Sequence, residues 1–228
     1  MSQGNGHPPE DTTPNLVPTP RRLLFVISGP SAAGKGGALR RIGSRDDVSR
    51  VPTYTTRPQR PVERNGLDYH FVSQEEFFSL VRSGEIVEYA QPYKDANYGS
   101  PRELYSGADH HRIVELDPAG YMRARRLAQS RVVGIFVYPG GPEEVQARLK
   151  VRDDTPQPEN RIDVADEQIG MSWLYDYVLF NRDKETFHHN LDRVIEAELL
   201  AYEGISELAA LQRASQEHKQ AAVEAPAP

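Results

Sequence analysis

The sequence predicts an α/β fold in which helices flank a central parallel sheet, on two observations. Strand-like and helix-like segments alternate from Arg21 onward, as they do when βα units build a parallel sheet. The first strand is an unbroken apolar run, Leu23–Ile27, that breaks into a small-residue turn opening a helix, as strands buried on both faces do. With 228 residues, 38% hydrophobic and 26% charged, the chain suits one good-sized soluble domain, or a core carrying inserted lobes.

Taken in order, Met1–Pro20 is rich in Pro, Gly, Asn and Thr with little to bury, and is expected to be a disordered arm. Strand Leu23–Ser28 and a helix from about Gly34 to Ile42 open the core, and Val48–Thr53 is a short extended segment. The prolines of R-P-Q-R-P then preclude helix. Leu67–Val72 alternates as a strand, and Ser73 caps a helix with Glu76 three residues on, the capping-box spacing. Gly84 ends that helix and Glu85–Tyr89 is another strand. The Pro- and Gly-punctuated stretch 54–100 therefore reads as a lobe inserted into a core formed by 21–53 and 101–211.

The core resumes with strand Arg112–Leu116 ending in Asp117, and helix Pro118–Gln129 follows with proline in its first turn. Strand Arg131–Tyr138 leads through P-G-G-P into a helix near Glu143–Arg152, then a polar loop, Asp153–Asn160. Tyr177–Asn181 is the final strand. Asp183 caps the last helix, whose apolar positions Phe187, Leu191, Val194, Ile195, Leu199 and Tyr202 have helical spacing. Residues 212–228 are polar and end A-P-A-P, and are expected to be a disordered tail.

Composition removes several function classes. A net charge of −6 argues against a general nucleic-acid binder. With no cysteine there is neither a disulfide framework nor a thiolate metal site. No apolar run is long enough to span a bilayer, and the N-terminus lacks the basic start and apolar core of a signal peptide, so a cytoplasmic protein without a membrane partner is expected. His110–His111 and His188–His189 are adjacent pairs whose side chains diverge, with no evident third ligand, so no histidine metal site is expected.

Two constellations carry chemistry. Gly29, four residues, Gly34 and Lys35 have the spacing of a P-loop, in which backbone N–H groups and a lysine cradle phosphates at a helix N-terminus. The pattern then asks for Ser or Thr to hold Mg²⁺; here stand Gly36 and Gly37. The second is Thr53–Tyr69, where Arg57 and Arg60 sit in a proline-stiffened loop beside Glu63. Arginine forks match phosphate bidentately and a carboxylate fixes their orientation. Tyr69 and Tyr98 add neutral donors of the kind that complete a phosphate pocket. A tight turn with a solvated lysine, and a solvated basic loop, are the plain alternatives.

Together, G-P-S-x-x-G-K after a strand and T-T-R-x-x-R-x-x-E-x-x-G-x-x-Y-x-F resemble the guanylate kinases, in order from about Leu23 to about Glu203. The resemblance implies a three-layer P-loop NTPase fold with an inserted GMP-binding lobe and a helical lid at about 143–165, acting on ATP and GMP or dGMP with Mg²⁺. It implies ATP contacts from Gly29, Pro30, Ser31, Ala32, Ala33, Gly34, Lys35, Gly36, Gly37 and Asn181. GMP contacts fall on Thr53, Arg57, Arg60, Glu63, Tyr69, Glu88, Tyr98, Ser100 and Asp117, with Thr53, Glu88, Ser100 and Asp117 facing the base. A glutamate can accept from guanine N1–H and its 2-amino group together, a pair adenine lacks. Catalysis would rest on Lys35, Arg57 and the lid arginines Arg148, Arg152 and Arg161. No protein group is expected on the metal directly; water and phosphates would hold it, with Asp117 the candidate to organise its water shell.

Four positions depart from the family pattern. Ala32 stands where the family has glycine, Gly36 lacks the metal-side hydroxyl, Ala119 replaces a glutamine, and Asp153 replaces the glycine after the second lid arginine. The adenylate kinases also carry glycine directly after the lysine, though a threonine follows it. Two other readings therefore stand beside the kinase: a non-catalytic binding module on the same fold, and a kinase for a modified nucleoside monophosphate.

Overall fold

The computed structural model describes residues 17–93, 96–140, 144 and 161–224. The chain runs β1 (Leu23–Ser28), α1 (Lys35–Ile42), β2 (Val48–Arg50), β3 (Thr53–Thr55), β4 (Tyr69–Phe71), α2 (Gln74–Ser83), β5 (Ile86–Tyr93), β6 (Ala96–Pro101), β7 (His111–Glu115), α3 (Pro118–Leu127), β8 (Arg131–Tyr138), α4 (Arg161–Gly170), β9 (Tyr177–Phe180) and α5 (Lys184–Glu224). The helix expected near Glu143–Arg152, apart from Glu144, and the loop Asp153–Asn160 lie outside the described residues.

Five strands form an all-parallel sheet in the order β2-β7-β1-β8-β9. β1 lies at its centre, which is why its residues are all apolar but one and all buried. That exception, Ser28, donates its hydroxyl to the Leu116 carbonyl at 2.6 Å. α1 buries Ala38, Leu39 and Ile42, and α3 buries Tyr121 and Ala124. The Tyr121 ring lies where a Cβ on Gly134 of β8 would fall, 2.4 Å away, so glycine is required there, and it stacks on Tyr175 with centroids 4.1 Å apart.

A second sheet, in the order β4-β3-β6-β5, mixes parallel and antiparallel pairs. β5 runs on past the expected end at Tyr89 through Pro92, which an edge strand tolerates because it need not donate to a ladder. The Ser73 hydroxyl accepts from Glu76 N at 3.1 Å, and Gly84 closes α2 in the left-handed region at φ 75°, as the sequence predicts. Asp68, buried at this sheet's margin, pairs with Arg50 at 2.8 Å and Arg40 at 3.3 Å, tying the lobe to β2 and α1.

Asp183 accepts from Thr186 N at 2.8 Å at the start of α5. That helix does not stop at 211: it continues through Glu224, where a disordered tail is expected from the polar composition. The stretch Gln212–Glu224 is polar but rich in Ala, Gln, Glu and Lys, strong helix formers with no Gly or Pro among them. Residues 17–20 and 201–224 form a compact unit separate from 21–200, in which Gln212 accepts from Val17 N at 2.7 Å. Among the described residues no helix is long and apolar enough to cross a membrane.

Candidate active site

Strands β1 and β7 point their carboxyl ends at one cavity of about 330 Å³, within the usual size range of ligand pockets. The P-loop enters from β1. Gly29, at φ 142°, lets the chain pass within 2.3 Å of where its Cβ would meet the Val137 carbonyl. Ala32 takes φ 64°, a left-handed conformation found at no other non-glycine among the described residues. Alanine thus takes an angle that glycine adopts freely, at a cost of about 1–2 kcal/mol.

Gly29, Ser31 and Lys35 line the cavity. Lys35 folds back over its own loop: Nζ donates to Gly29 O at 2.6 Å and Pro30 O at 2.8 Å, and lies 3.4 Å from Glu115. Pro30, Ala32, Ala33, Gly34, Gly36 and Gly37 complete the loop without lining the cavity. Asn181, expected on the adenine side, is buried beneath the loop and donates Nδ2 to Ala33 O at 2.7 Å. A Cβ on Gly34 would fall 2.2 Å from that nitrogen, so the glycine makes the prop possible.

The second sheet and the loop after β3 supply the opposite wall with Thr53, Arg57, Arg60, Tyr69, Glu88, Tyr98 and Ser100. Glu63 stands behind it, bonded to Arg57 at 2.7 and 2.6 Å and accepting from Arg60 N at 2.9 Å. Burial works against the Arg57 charge, but Glu63 outweighs it and raises the guanidinium further above its ordinary range. Burial likewise opposes ionisation of Glu63, and Arg57 and the Arg60 amide outweigh it, lowering the carboxyl. Arg57 gives one further bond to Pro58 O at 2.8 Å and lies over the Tyr69 ring at 5.1 Å. Among the described residues three of its five N–H donors are thereby used, with one on Nε and one on Nη2 left over.

Glu88, largely buried, receives Ser100 Oγ at 3.0 Å and Tyr105 OH at 2.6 Å on Oε1, while Arg123 Nε lies 2.8 Å from Oε2. Asp117 both lines the cavity and caps α3, accepting from Gly120 N at 2.7 Å. Glu115, at the end of β7, is also in the wall, as are Arg123 and Gln168. No motif signals Arg123 or Tyr105; only the fold brings them to Glu88. Arg148 and Arg152 lie outside the described residues, and Arg161 opens α4. Among the described residues no three His, Cys, Asp or Glu cluster as metal ligands.

The family model for guanylate kinase matches residues 21–198. The chain belongs to the guanylate kinase family. It is 37% identical over 188 residues to a guanylate kinase of Streptococcus agalactiae serotype III (strain NEM316), covering 78% of this chain and 88% of that one. It is 32% identical over 191 residues to that of Wolbachia sp. subsp. Brugia malayi (strain TRS), covering 80% and 96%. Among solved structures, the guanylate kinase from Anaplasma phagocytophilum superposes with a TM-score of 0.60 at 27% identity, covering 79% of this chain and 87% of that one. As a member of this family the chain is a guanylate kinase-like phosphotransferase.

Proposed function

We propose that this protein transfers the γ-phosphoryl group of ATP directly to GMP or dGMP, giving ADP and GDP. The observation that carries the reading is one cavity lined by the P-loop lysine, by Arg57, Arg60, Tyr69 and Tyr98, and by Glu88, Ser100 and Asp117. Two anionic groups need cations on both sides of the transfer path, and a purine with adjacent N–H donors needs a carboxylate.

The acceptor is a phosphate oxygen already deprotonated at neutral pH, so no general base is required, and catalysis is positioning plus electrostatics. Lys35 exchanges the Gly29 and Pro30 carbonyls for phosphate oxygens. Arg57, held by Glu63, turns its two remaining donors to the GMP phosphate, with Arg60 beside it. Arg148, Arg152 and Arg161 are the lid cations that arrive on closure and exclude water. Asn181 acts on the ATP side through the loop it props.

The residues present fit Mg²⁺ held through water: Glu115 and Asp117 line the cavity beside Lys35, while Gly36 offers no side-chain oxygen. Bound with ATP, the ion would neutralise charge on the phosphates. The expected compartment is the cytoplasm, where both nucleotides are available. A coupled assay across the nucleoside monophosphates tests the reading: ADP release is expected with GMP and dGMP above all others. Absence of ADP with GMP at high enzyme concentration would sink it, and a preference for another monophosphate would reassign the acceptor.

A further inference from the structure

Glu88 is held from both sides, by Ser100 and by two groups outside the family motifs. On the inner side, Tyr105 OH and Ser100 Oγ converge on Oε1. Tyr105 is buried and does not line the cavity, so its hydroxyl acts from behind the wall. Its own position is fixed by buried Arg112 of β7, whose guanidinium donates to the carbonyls of Glu103 and Ser106, the latter at 2.9 Å, bracketing the short helical turn Arg102–Tyr105. On the outer side, Arg123 of α3 brings Nε to 2.8 Å from Oε2.

Two further facts bear on the arrangement. The Arg123 side chain is 45% exposed while Glu88 is 10% exposed, so the cation reaches in from the cavity rim. Asp117 Oδ1 and Glu88 Oε1 approach the point where a Cβ on Gly120 would lie, at 3.2 and 3.3 Å, so two carboxylates share this corner. Tyr105 and Ser100 hold Oε1 and fix the plane of the carboxylate, and with it the place of Oε2. An arginine beside it offsets the repulsion between the carboxylates and fixes which way that oxygen faces.

We infer that Arg123 and Tyr105 are positioning residues for base recognition, clamping Glu88 from opposite sides so that its free edge meets a purine carrying adjacent N–H and NH₂ donors. The inference rests on the GMP reading above. Tyr105 holds the inner oxygen and Arg123 steers the outer one; neither touches the phosphate.

The test is GMP kinetics and calorimetry on the full chain. Arg123→Ala raises the KM and the Kd for GMP about tenfold, the worth of a hydrogen bond to a charged group, and changes kcat far less. Arg123→Lys recovers most of the loss, and Tyr105→Phe produces a loss of the same kind. In a Glu88→Gln background, Arg123→Ala has no further effect on GMP binding. Inosine monophosphate, which lacks the 2-amino group, loses less affinity than GMP on Arg123→Ala. The inference is overturned if Arg123→Ala binds GMP unchanged or more tightly, or if its effect persists in full in Glu88→Gln. These results differ from failure of the reading itself, in which the wild-type protein neither binds nor phosphorylates GMP.

Discussion

Replacing Gly36 with serine restores the hydroxyl that the P-loop pattern places next to its lysine. The structure has room for it: a Cβ there would lie 3.8 and 4.0 Å from the two terminal nitrogens of Arg40, ordinary contact distances. Two gains follow. Serine in the first turn of α1 in place of glycine is worth about 0.5 kcal/mol in helix propensity, or roughly 1–2 °C in a domain of this size. The larger gain is in Mg–ATP binding. A tethered hydroxyl displaces an ordered water whose immobilisation costs up to about 2 kcal/mol; taking half of that gives roughly fivefold tighter binding. Calorimetry of ATP with excess Mg²⁺, and again with EDTA, is the assay. Tightening is expected only with the metal. An unchanged Kd, or equal tightening in EDTA, would refute the argument that Gly36 leaves the metal one protein oxygen short.

Ala32→Gly removes a left-handed alanine worth about 1–2 kcal/mol. It also loosens the unfolded chain by about 0.4–1 kcal/mol and unburies a methyl worth about 0.8 kcal/mol. Urea denaturation should therefore find the variant within about 1 kcal/mol of wild type, since these terms nearly cancel; a gain of several kcal/mol would mean the loop is strained beyond this one residue. Glu63→Gln leaves Arg57 a neutral partner in a half-buried site, and should raise the KM for GMP about tenfold in steady-state assays; an unchanged KM would remove Glu63 from the phosphate site. His111 is buried, its Nδ1 accepting from Leu23 N at 3.0 Å, and burial and Arg22 hold its pKa below the usual 6.5. The unfolded chain takes up this proton first as pH falls, so stability drops below about 6.5. Part of that slope should vanish in His111→Gln when unfolding is followed between pH 5.5 and 7.5. His188, lowered by burial and by Arg41, contributes in the same direction and should leave the remainder.

What was legible in the sequence was local. The Leu23–Ser28 strand, the loop spacing, the Ser73 and Asp183 caps and the Gly84 stop each declare themselves within a few residues, and each is where the chain says. β6 does not, because its pairing joins Tyr54 to Gly99 across a long separation, and no short window records that. α5 outruns its expected end because Ala, Gln and Glu propagate a helix even where the composition is polar. At the site, motif residues converge on the cavity, whereas Arg123 and Tyr105 carry no pattern and become visible only when α3 and the turn after β6 are folded against Glu88. Asn181 shows the opposite limit: its position was readable, but its work beneath the loop was not.

That prop has a consequence for how the protein is made. Ala33 and Asn181 are 148 residues apart in the chain, and β9 reaches the sheet only by pairing with β8. On the ribosome, the glycine-rich turn emerges early, yet the side chain that braces it is among the last core residues to be synthesised. Bracing of the loop is thus deferred until the sheet has received its final strand. A nascent chain truncated before Asn181 would carry every motif residue of the loop and still lack its finished shape.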